Sequence, residues 1–499
     1  MERFKRMIIF LILLNIVSLS ASANSLRFPI DDIPNSDSPI AWRSLSQWYL
    51  ISNTHSTLVE FDPLGGLRGK LASKWVLSDN RKVLTLTLRS DAKFSNGETV
   101  TSKDFKYSFQ KYIATQGKSH PLKMAIVNGD KIVSAESDVN GIQTPNLSTI
   151  VIRLRYPFER IWSYLSFPSS GSVLPFGEKY ENSSIRSGPY FIESIQDKKI
   201  ILKRNKYYFS YSSLPNAPLN VELVSFDTFN EKVNAYLSNK IDIIPLLSPF
   251  DEIKTPPQNL GAVQQYPYHR VSLLILNSKK NKYKNRSVRK SVADTLSSTV
   301  LSEYKIPNIQ WSNSFFPVFS VGHFELSKAK KQIGKKNLIK NANILVSEEL
   351  YRDELLNVIR SRLEVVSNKT KFESISKHLL SKKIINRDFE MALFSIGFPM
   401  ADVSHALSIY FIEEPHYLPG NYEKISSFLN KIHVSNLSID LEQKEIWEKI
   451  GMEVLSSLEV IPIFHTGIRY VVNKRFESVE NNLYRKDMDF SLFRKVSKK

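Results

Sequence analysis

The sequence predicts an α/β protein with more than one domain. The chain has 499 residues, whereas one domain usually has about 150. Segments in which apolar and polar residues alternate, as in a strand, are followed by segments with helical spacing, for example 83–88 and then 105–112. With 42% hydrophobic and 23% charged residues, the composition is typical of a globular chain rather than a disordered one.

The first 23 residues predict a secretory signal peptide. Arg3, Lys5 and Arg6 form a positive region, 7–17 is an apolar run, and Ala21-Ser22-Ala23 has the small residues of a cleavage site. The run is shorter than the about 20 residues that span a bilayer, and an uncleaved anchor is the alternative. Because the chain has no cysteine, we expect no disulfide and no lipid-modified cysteine, hence a free periplasmic protein.

A β-hairpin is predicted near residue 80. Trp75 and Val76 precede a Ser-Asp-Asn turn at 78–80, and 83–88 then alternates apolar residues with Thr. This period of two is that of a strand with one buried face.

A helix is predicted after residue 101. Thr101 or Ser102 can cap its first turn, in which Asp104 favours the positive end of the helix dipole. The residues that share its apolar face are Phe105, Phe109 and Tyr112.

The remaining elements follow from similar patterns. The predicted strands are 131–135, 149–154, 221–226, 270–277, 343–346, 371–375 and 461–465, with a turn-rich segment at 138–146. The predicted helices are 40–49, 229–237, 349–365 and 375–380. A turn at Gly188-Pro189 precedes a further strand.

The order of residues in 71–108 resembles one protein family. Extracytoplasmic solute-binding proteins of the oligopeptide, dipeptide and nickel type (bacterial solute-binding protein family 5), the receptors of ABC importers, carry LA-x-x-W, a D/N turn, a strand ending in L-R, then K-F-x-(D/N)-G and a helix opening T-x-x-D-x-x-x-S. The corresponding residues are Leu71, Ala72, Trp75, Asp79, Leu88, Arg89, Lys93, Phe94, Asn96, Gly97, Thr101, Asp104 and Ser108. Further landmarks at 187–192, 388–398 and 461–465 resemble those of the same family.

The resemblance implies a two-lobed periplasmic binding protein fold, type II with an extra subdomain, whose lobes are joined by a hinge. The implied parts are a signal peptide (1–23), a lobe I core (24–57, 183–268 and 466–499), a lobe I extra subdomain (58–182) and lobe II (269–465). The crossovers between the lobes are expected near His269 and after 461–465.

The resemblance also implies a function. We expect a monomeric periplasmic receptor that binds a peptide-like solute between the lobes and delivers it to the permease subunits of an ABC importer in the inner membrane. Two alternatives stay open: a sensory or scaffold protein that keeps the fold, and a periplasmic hydrolase.

Enzyme chemistry has little support in the sequence. We find no nucleophile elbow, zinc-ligand pair or dinucleotide fingerprint. Asp402 and His405 lie three residues apart, but that spacing alone does not define a metal site. We therefore expect no enzyme activity, no cofactor and no metal site.

The candidate solute-binding residues lie mainly after the 388–398 landmark. In peptide-binding relatives an aspartate after a Gly-Trp pair binds the α-ammonium of the peptide, and here Asp402 follows Gly397-Phe398; the alternative is that Asp402 caps a helix near Ser404. The full predicted set is Asp402, Phe398, Met400, His405, Phe94, Tyr190 and His269. Phe94, Tyr190, His269 and Phe464 lie in or near segments that face the cleft in the family, and packing in a core or hinge is the alternative for each of them.

The chain is strongly basic, with a formal net charge of +19. Its lysines occur in short clusters, such as Lys279-Lys280 and Lys382-Lys383, separated by apolar residues. This pattern indicates a solvated surface and no nucleic-acid partner, and an electrostatic role at an anionic membrane or cell-wall surface is the alternative.

Overall fold

The computed structural model of the protein describes residues 25–41, 44–61, 66–118, 120–158, 160–177, 185–246, 248, 250–251, 253, 263–265, 270–317, 323, 338–398, 407, 410–411, 418–429, 441–478 and 488–496. In these residues the strands are β1 (Ser25–Ile30), β2 (Val59–Phe61), β3 (Leu67–Gly69), β4 (Ala72–Leu77), β5 (Val83–Leu88), β6 (Ile142–Asn146), β7 (Thr149–Arg153), β8 (Tyr190–Gln196), β9 (Lys199–Arg204), β10 (Asn220–Ser225), β11 (Ile243–Leu246), β12 (Val263–Gln265), β13 (Arg270–Leu276), β14 (Ile309–Trp311), β15 (Ala342–Ser347), β16 (Thr370–Ile375), β17 (Met391–Gly397), β18 (Val460–Thr466), β19 (Arg469–Val472), β20 (Phe476–Ser478) and β21 (Phe493–Lys495).

The α-helices in the same residues are α1 (Leu45–Thr54), α2 (Ser102–Ala114), α3 (Pro121–Ala125), α4 (Ile161–Ser166), α5 (Pro168–Gly171), α6 (Phe229–Leu237), α7 (Asn281–Lys284), α8 (Arg286–Thr295), α9 (Ser298–Leu301), α10 (Asp353–Leu363), α11 (Lys377–Ile385), α12 (Tyr422–Leu429) and α13 (Leu441–Ser456). Short 3-10 turns occur at 39–41, 129–131, 348–350 and 490–492. In the part of the chain that the structure describes, no helix combines the length and the apolar character that crossing a bilayer requires.

The N-terminal sheet has the strand order β1-β10-β9-β8. β1 runs parallel to β10, and the other pairs are antiparallel. Its core contains side chains from β1, from α1 and from the C-terminal segment, among them Phe28, Tyr49 and Phe490. The two ends of the described chain therefore pack together.

Asp242 connects this sheet to the next one. Its carboxylate is fully buried and accepts hydrogen bonds from Arg27 Nε and Nη2, each 3.0 Å long, and from Arg475 Nε at 2.5 Å. Asp242 immediately precedes β11, which belongs to a three-stranded sheet ordered β11-β19-β12. One buried carboxylate thus binds the first strand and the C-terminal region to the middle of the chain.

A separate four-stranded sheet, ordered β4-β5-β7-β6, forms with α2 the unit between residues 58 and 173. The predicted hairpin is confirmed, since β4 and β5 pair antiparallel with Leu77 opposite Leu84. The predicted helix cap is confirmed too. Thr101 and Asp104 form a capping box, with Thr101 N donating to Asp104 Oδ2 at 2.7 Å.

The largest sheet has six strands in the order β14-β18-β13-β17-β15-β16. Successive side chains of β13 enter different cores: Leu273 packs on one face of the sheet and Leu274 on the other. Because both faces are covered, β13 is apolar almost throughout, as the predicted buried strand 270–277 requires.

Several predicted elements are wrong or shifted. The predicted strand 131–135 is absent: Val133 is 77% exposed, and the strand that pairs with β7 is instead β6, within the segment predicted to be turn-rich. The helix predicted at 40–49 begins at Leu45, after its cap Ser44. The helix predicted at 349–365 covers only Asp353–Leu363. The predicted domain limits stay predictions.

Candidate functional site

Two chain connections link the three-stranded sheet to the six-stranded sheet. The first leads from β12 to β13 and the second from β18 to β19. Gln265 pairs with Arg469 on one side, and Arg270 pairs with Thr466 on the other, both antiparallel. Both connections are therefore short and are held together at each end by strand pairing, the arrangement expected of a hinge.

The predicted solute-binding loop begins beside these connections. Gly397, the last residue of β17, pairs with Arg270, the first residue of β13. The hydroxyl of Tyr410 donates to the carbonyl of Gly397 at 2.8 Å. β17 therefore ends at the same end of the six-stranded sheet as the pairing of Arg270 with Thr466.

Phe398 belongs to an aromatic cluster under this sheet end. Its ring centroid lies 5.5 Å from that of Phe315 and 6.1 Å from those of Phe316 and Tyr410. Phe398 is only 1% exposed. Its predicted contact with solute stays a prediction.

Phe94 is likewise buried, in the core of the 58–173 unit. Its amide donates to Glu98 O at 2.8 Å, closing a tight turn in which Gly97 has a φ of 90°. A residue with a side chain would be strained there. The burial of Phe94 favours the packing alternative.

The residue next to Phe94 connects this unit to the N-terminal segment. Ser95 N donates to Arg186 O at 2.9 Å. The buried guanidinium of Arg186 donates from Nε to Asp37 Oδ2 at 2.9 Å. Arg186 and Asp37 are 149 positions apart, so no local pattern could identify the pair.

Tyr190 is fully buried at the start of β8. Its hydroxyl donates to Pro218 O at 3.0 Å, and burial raises the pKa of the phenol. The preceding turn is fixed by Gly188, where a Cβ atom would lie 2.4 Å from the carbonyl carbon of Thr54. The surroundings of Tyr190 favour a packing role as well.

Two neutral histidines are buried close to these segments. Burial lowers the pKa of His465, on β18 next to the second connection, to about 4, and Nε2 lies 2.9 Å from Ser314 O. Burial and then the charge of Arg186 lower the pKa of His55 to about 3. Neither was predicted as a site residue, since a single histidine in an apolar strand (His465) or at the end of a helix (His55) gives no specific signal.

The other predicted site residues, His269, Met400, Asp402 and His405, lie outside the described residues. Their roles stay predictions. Among the residues that are described, no group of three or more histidine, cysteine, aspartate or glutamate side chains could hold a metal ion.

A shallow groove lies at the edge of the six-stranded sheet. Its volume is about 430 Å³, and β14 and the preceding loop line it, with Tyr304, Lys305 and Trp311 among the lining residues. β14 pairs with β18 opposite Thr466 and His465, so the groove is near the hinge end but on the outer edge of the sheet.

Comparison with known proteins assigns the family. Residues 66–415 match the family described as "Bacterial extracellular solute-binding proteins, family 5 Middle". The periplasmic oligopeptide-binding protein OppA of Salmonella typhimurium is 26% identical over 361 residues, which are 66% of this chain and 62% of OppA. The periplasmic murein peptide-binding protein MppA of Escherichia coli is 27% identical over 234 residues, 43% of this chain and 42% of MppA. The aligned part thus spans less than two thirds of each of these relatives.

Solved structures share the fold over nearly the whole chain. The Escherichia coli murein tripeptide binding protein MppA superposes with a TM-score of 0.74 at 16% identity, covering 95% of this chain and 99% of MppA. A periplasmic oligopeptide-binding protein of Borrelia burgdorferi gives a TM-score of 0.74 at 18% identity, covering 95% of this chain and all of that one. The two-lobed fold expected from the sequence is confirmed. The chain belongs to family 5 of the bacterial extracellular solute-binding proteins.

Proposed function

We propose that this protein is the receptor of an ABC importer, which binds a peptide-like solute between its lobes and delivers it to membrane permease subunits. The observation that carries the proposal is that Gly397, the last residue of β17, pairs with Arg270 at the end of the sheet where Arg270 also pairs with Thr466. Relatives described as oligopeptide- and murein peptide-binding proteins support a peptide-like solute. The predicted signal peptide supports action in the periplasm, from which osmotic shock should release the protein, and we expect it to act there as a monomer.

Binding by lobe closure follows from this arrangement. An open cleft admits the solute, and rotation about the two connections brings the walls together and excludes water. Backbone groups and trapped water can then satisfy the peptide bonds of an extended solute without reading its side chains. The charged ends of the peptide would provide a large part of the affinity, because charge-assisted hydrogen bonds strengthen away from water.

Thermal unfolding in the presence of peptide pools tests the proposal. The purified protein is unfolded and refolded to remove carried-over ligand, and is then mixed with di- to pentapeptide pools. We expect at least one pool to raise the unfolding midpoint, since a ligand at 100 times its dissociation constant adds about 2.7 kcal/mol. Mixtures of the free amino acids that make up these peptides serve as the control. If no peptide pool stabilises the protein, the receptor role for peptides is wrong, and the sensory or scaffold alternative gains support.

The proposed role of Asp402 is to bind the α-ammonium of the peptide. Replacing Asp402 by asparagine keeps the size of the side chain and its ability to cap a helix, but removes the charge. We expect calorimetry to show about tenfold or greater loss of affinity for free peptides and little change for their N-acetylated forms. Equal losses for both forms would contradict the role.

A further inference from the structure

One end of the six-stranded sheet is strongly basic. β13 ends there at Leu276 opposite Met391, while the hinge lies at the other end, where Arg270 pairs with Gly397. The chain that follows β13 contains seven basic and no acidic residues between positions 279 and 290. The term "basic pole" is used below for six exposed lysines at this end, which are Lys279, Lys280, Lys282, Lys284, Lys340 and Lys369.

Three segments that are distant in sequence form the basic pole. Lys282 Nζ lies 3.3 Å from Asn341 O, which places the segment after β13 beside Lys340. The amide of Ala342 donates to the carbonyl of Lys369 at 2.8 Å, which places the loop before β16 in the same surface. The lysines that are dispersed along the sequence are therefore gathered by the sheet topology.

Acidic side chains neutralise only part of this charge. Glu390 accepts from Lys282 at 2.9 Å, and Asp388 is bound mainly to Lys383 at 2.6 Å. Lys279, Lys284 and Lys340 form no ion pair within the described ranges of the chain. The basic pole thus keeps a net positive charge at neutral pH.

We propose that the basic pole binds the surface of an anionic lipid membrane. Its cations are single exposed lysines spread over a sheet end, a pattern suited to many headgroups rather than to one small anion. Leu338, two residues from Lys340, is 37% exposed and adds an apolar contact of the kind that the lipid interface accepts. The two aromatic residues in these segments, Tyr283 and Phe389, are buried, so the pole lacks the stacking surfaces used to bind single-stranded nucleic acid.

This interaction lies beyond solute binding. Lysines close to an anionic leaflet each strengthen attachment about fivefold. The attraction falls off within a Debye length, which is about 10 Å in 0.1 M salt and becomes shorter as the salt concentration rises. The basic pole is at the end of its sheet away from the hinge, so attachment leaves the connections between the lobes uncovered. A receptor attached in this way would reach its partner by diffusion in two dimensions along the membrane instead of in three dimensions.

Vesicle flotation with two matched variants tests the proposal. The pole variant carries Lys279→Gln, Lys280→Gln, Lys284→Gln and Lys340→Gln. The control variant carries Lys74→Gln, Lys103→Gln, Lys131→Gln and Lys240→Gln, four exposed lysines elsewhere, so that both variants lose the same charge. Each protein is mixed with phosphatidylcholine vesicles that contain either no or about 30% phosphatidylglycerol, in about 0.1 M NaCl. Circular dichroism checks that all three proteins are folded.

We expect the wild type and the control variant to float only with the anionic vesicles, and the pole variant to bind them at least about a hundredfold more weakly. Equal losses in the two variants would show a response to net charge alone and would overturn the proposal. It would also be overturned if the wild type bound neither vesicle, or bound only a DNA duplex or an acidic protein offered in parallel. Peptide stabilisation measured on the same samples tests solute binding separately.

Discussion

Replacing Asp242 by alanine is expected to lower the free energy of unfolding by about 3 kcal/mol or more, because two guanidinium groups lose their shared buried partner. The Asp242 side chain is fully buried, whereas those of Arg27 and Arg475 are 19% and 31% exposed. The arginines can therefore regain only part of their hydration after the substitution. Urea unfolding at neutral pH, followed by circular dichroism, measures the change.

Asp227 provides the matched control for this substitution. It also pairs with a cation, Lys198 at 3.1 Å, but the two side chains are 70% and 68% exposed. Alanine at Asp227 should change the free energy of unfolding by less than about 0.5 kcal/mol. Similar losses at both positions would show that burial of the Asp242 carboxylate is not what makes the pair important.

Acid should destabilise the protein through its two buried histidines. In the unfolded chain both have an ordinary pKa of 6.5, while burial lowers the pKa to about 4 for His465 and to about 3 for His55 in the folded protein. Below pH 6.5 the unfolded chain thus binds more protons, so the stabilisation is complete above that pH and decreases as the pH falls toward the folded-state values. Between about pH 7.5 and about pH 5 each histidine should account for a loss of about 2 kcal/mol.

Substitution of His465 by glutamine separates its share of this effect. Glutamine cannot be protonated, and its amide nitrogen can replace Nε2 as a donor to Ser314 O. We expect the loss of stability on acidification to be smaller by about 2 kcal/mol in this variant. His378→Gln, at an exposed position of α11, should leave the loss unchanged. A His465→Gln variant with the wild-type pH dependence would contradict the assignment.

Local signals in the sequence were sufficient to predict strands in which apolar and polar residues alternate and helices whose first turn is capped by a nearby side chain. The β4–β5 hairpin and the capping box of α2 were predicted because the responsible residues are neighbours in sequence. β6 was missed because its sequence, Ile-Gln-Thr-Pro-Asn, is polar and contains proline. It is a strand because β7 supplies its partner, and pairing across a sheet is not a local property.

The site was less predictable for the same reason. A resemblance to known receptors indicates which segment follows β17, but not that Phe398 turns into an aromatic cluster with Phe315, 83 positions earlier. The contacts of Asp242 span 215 and 233 positions. Nothing in the sequence next to Asp242, Arg27 or Arg475 marks these residues as special. Only the folded structure shows that their charges meet at one buried position.

In the lobe closure that we propose, the two paired connections determine how one lobe can move against the other. Because Gln265 is held to Arg469 and Arg270 to Thr466, one lobe is covalently attached to the other at two adjacent points, which resists sliding and leaves mainly a bending motion. The two walls of the cleft are thereby kept at a high effective concentration of each other. If the proposed function is right, a solute that contacts both walls recruits the second wall without the translational entropy loss of an encounter between separate molecules.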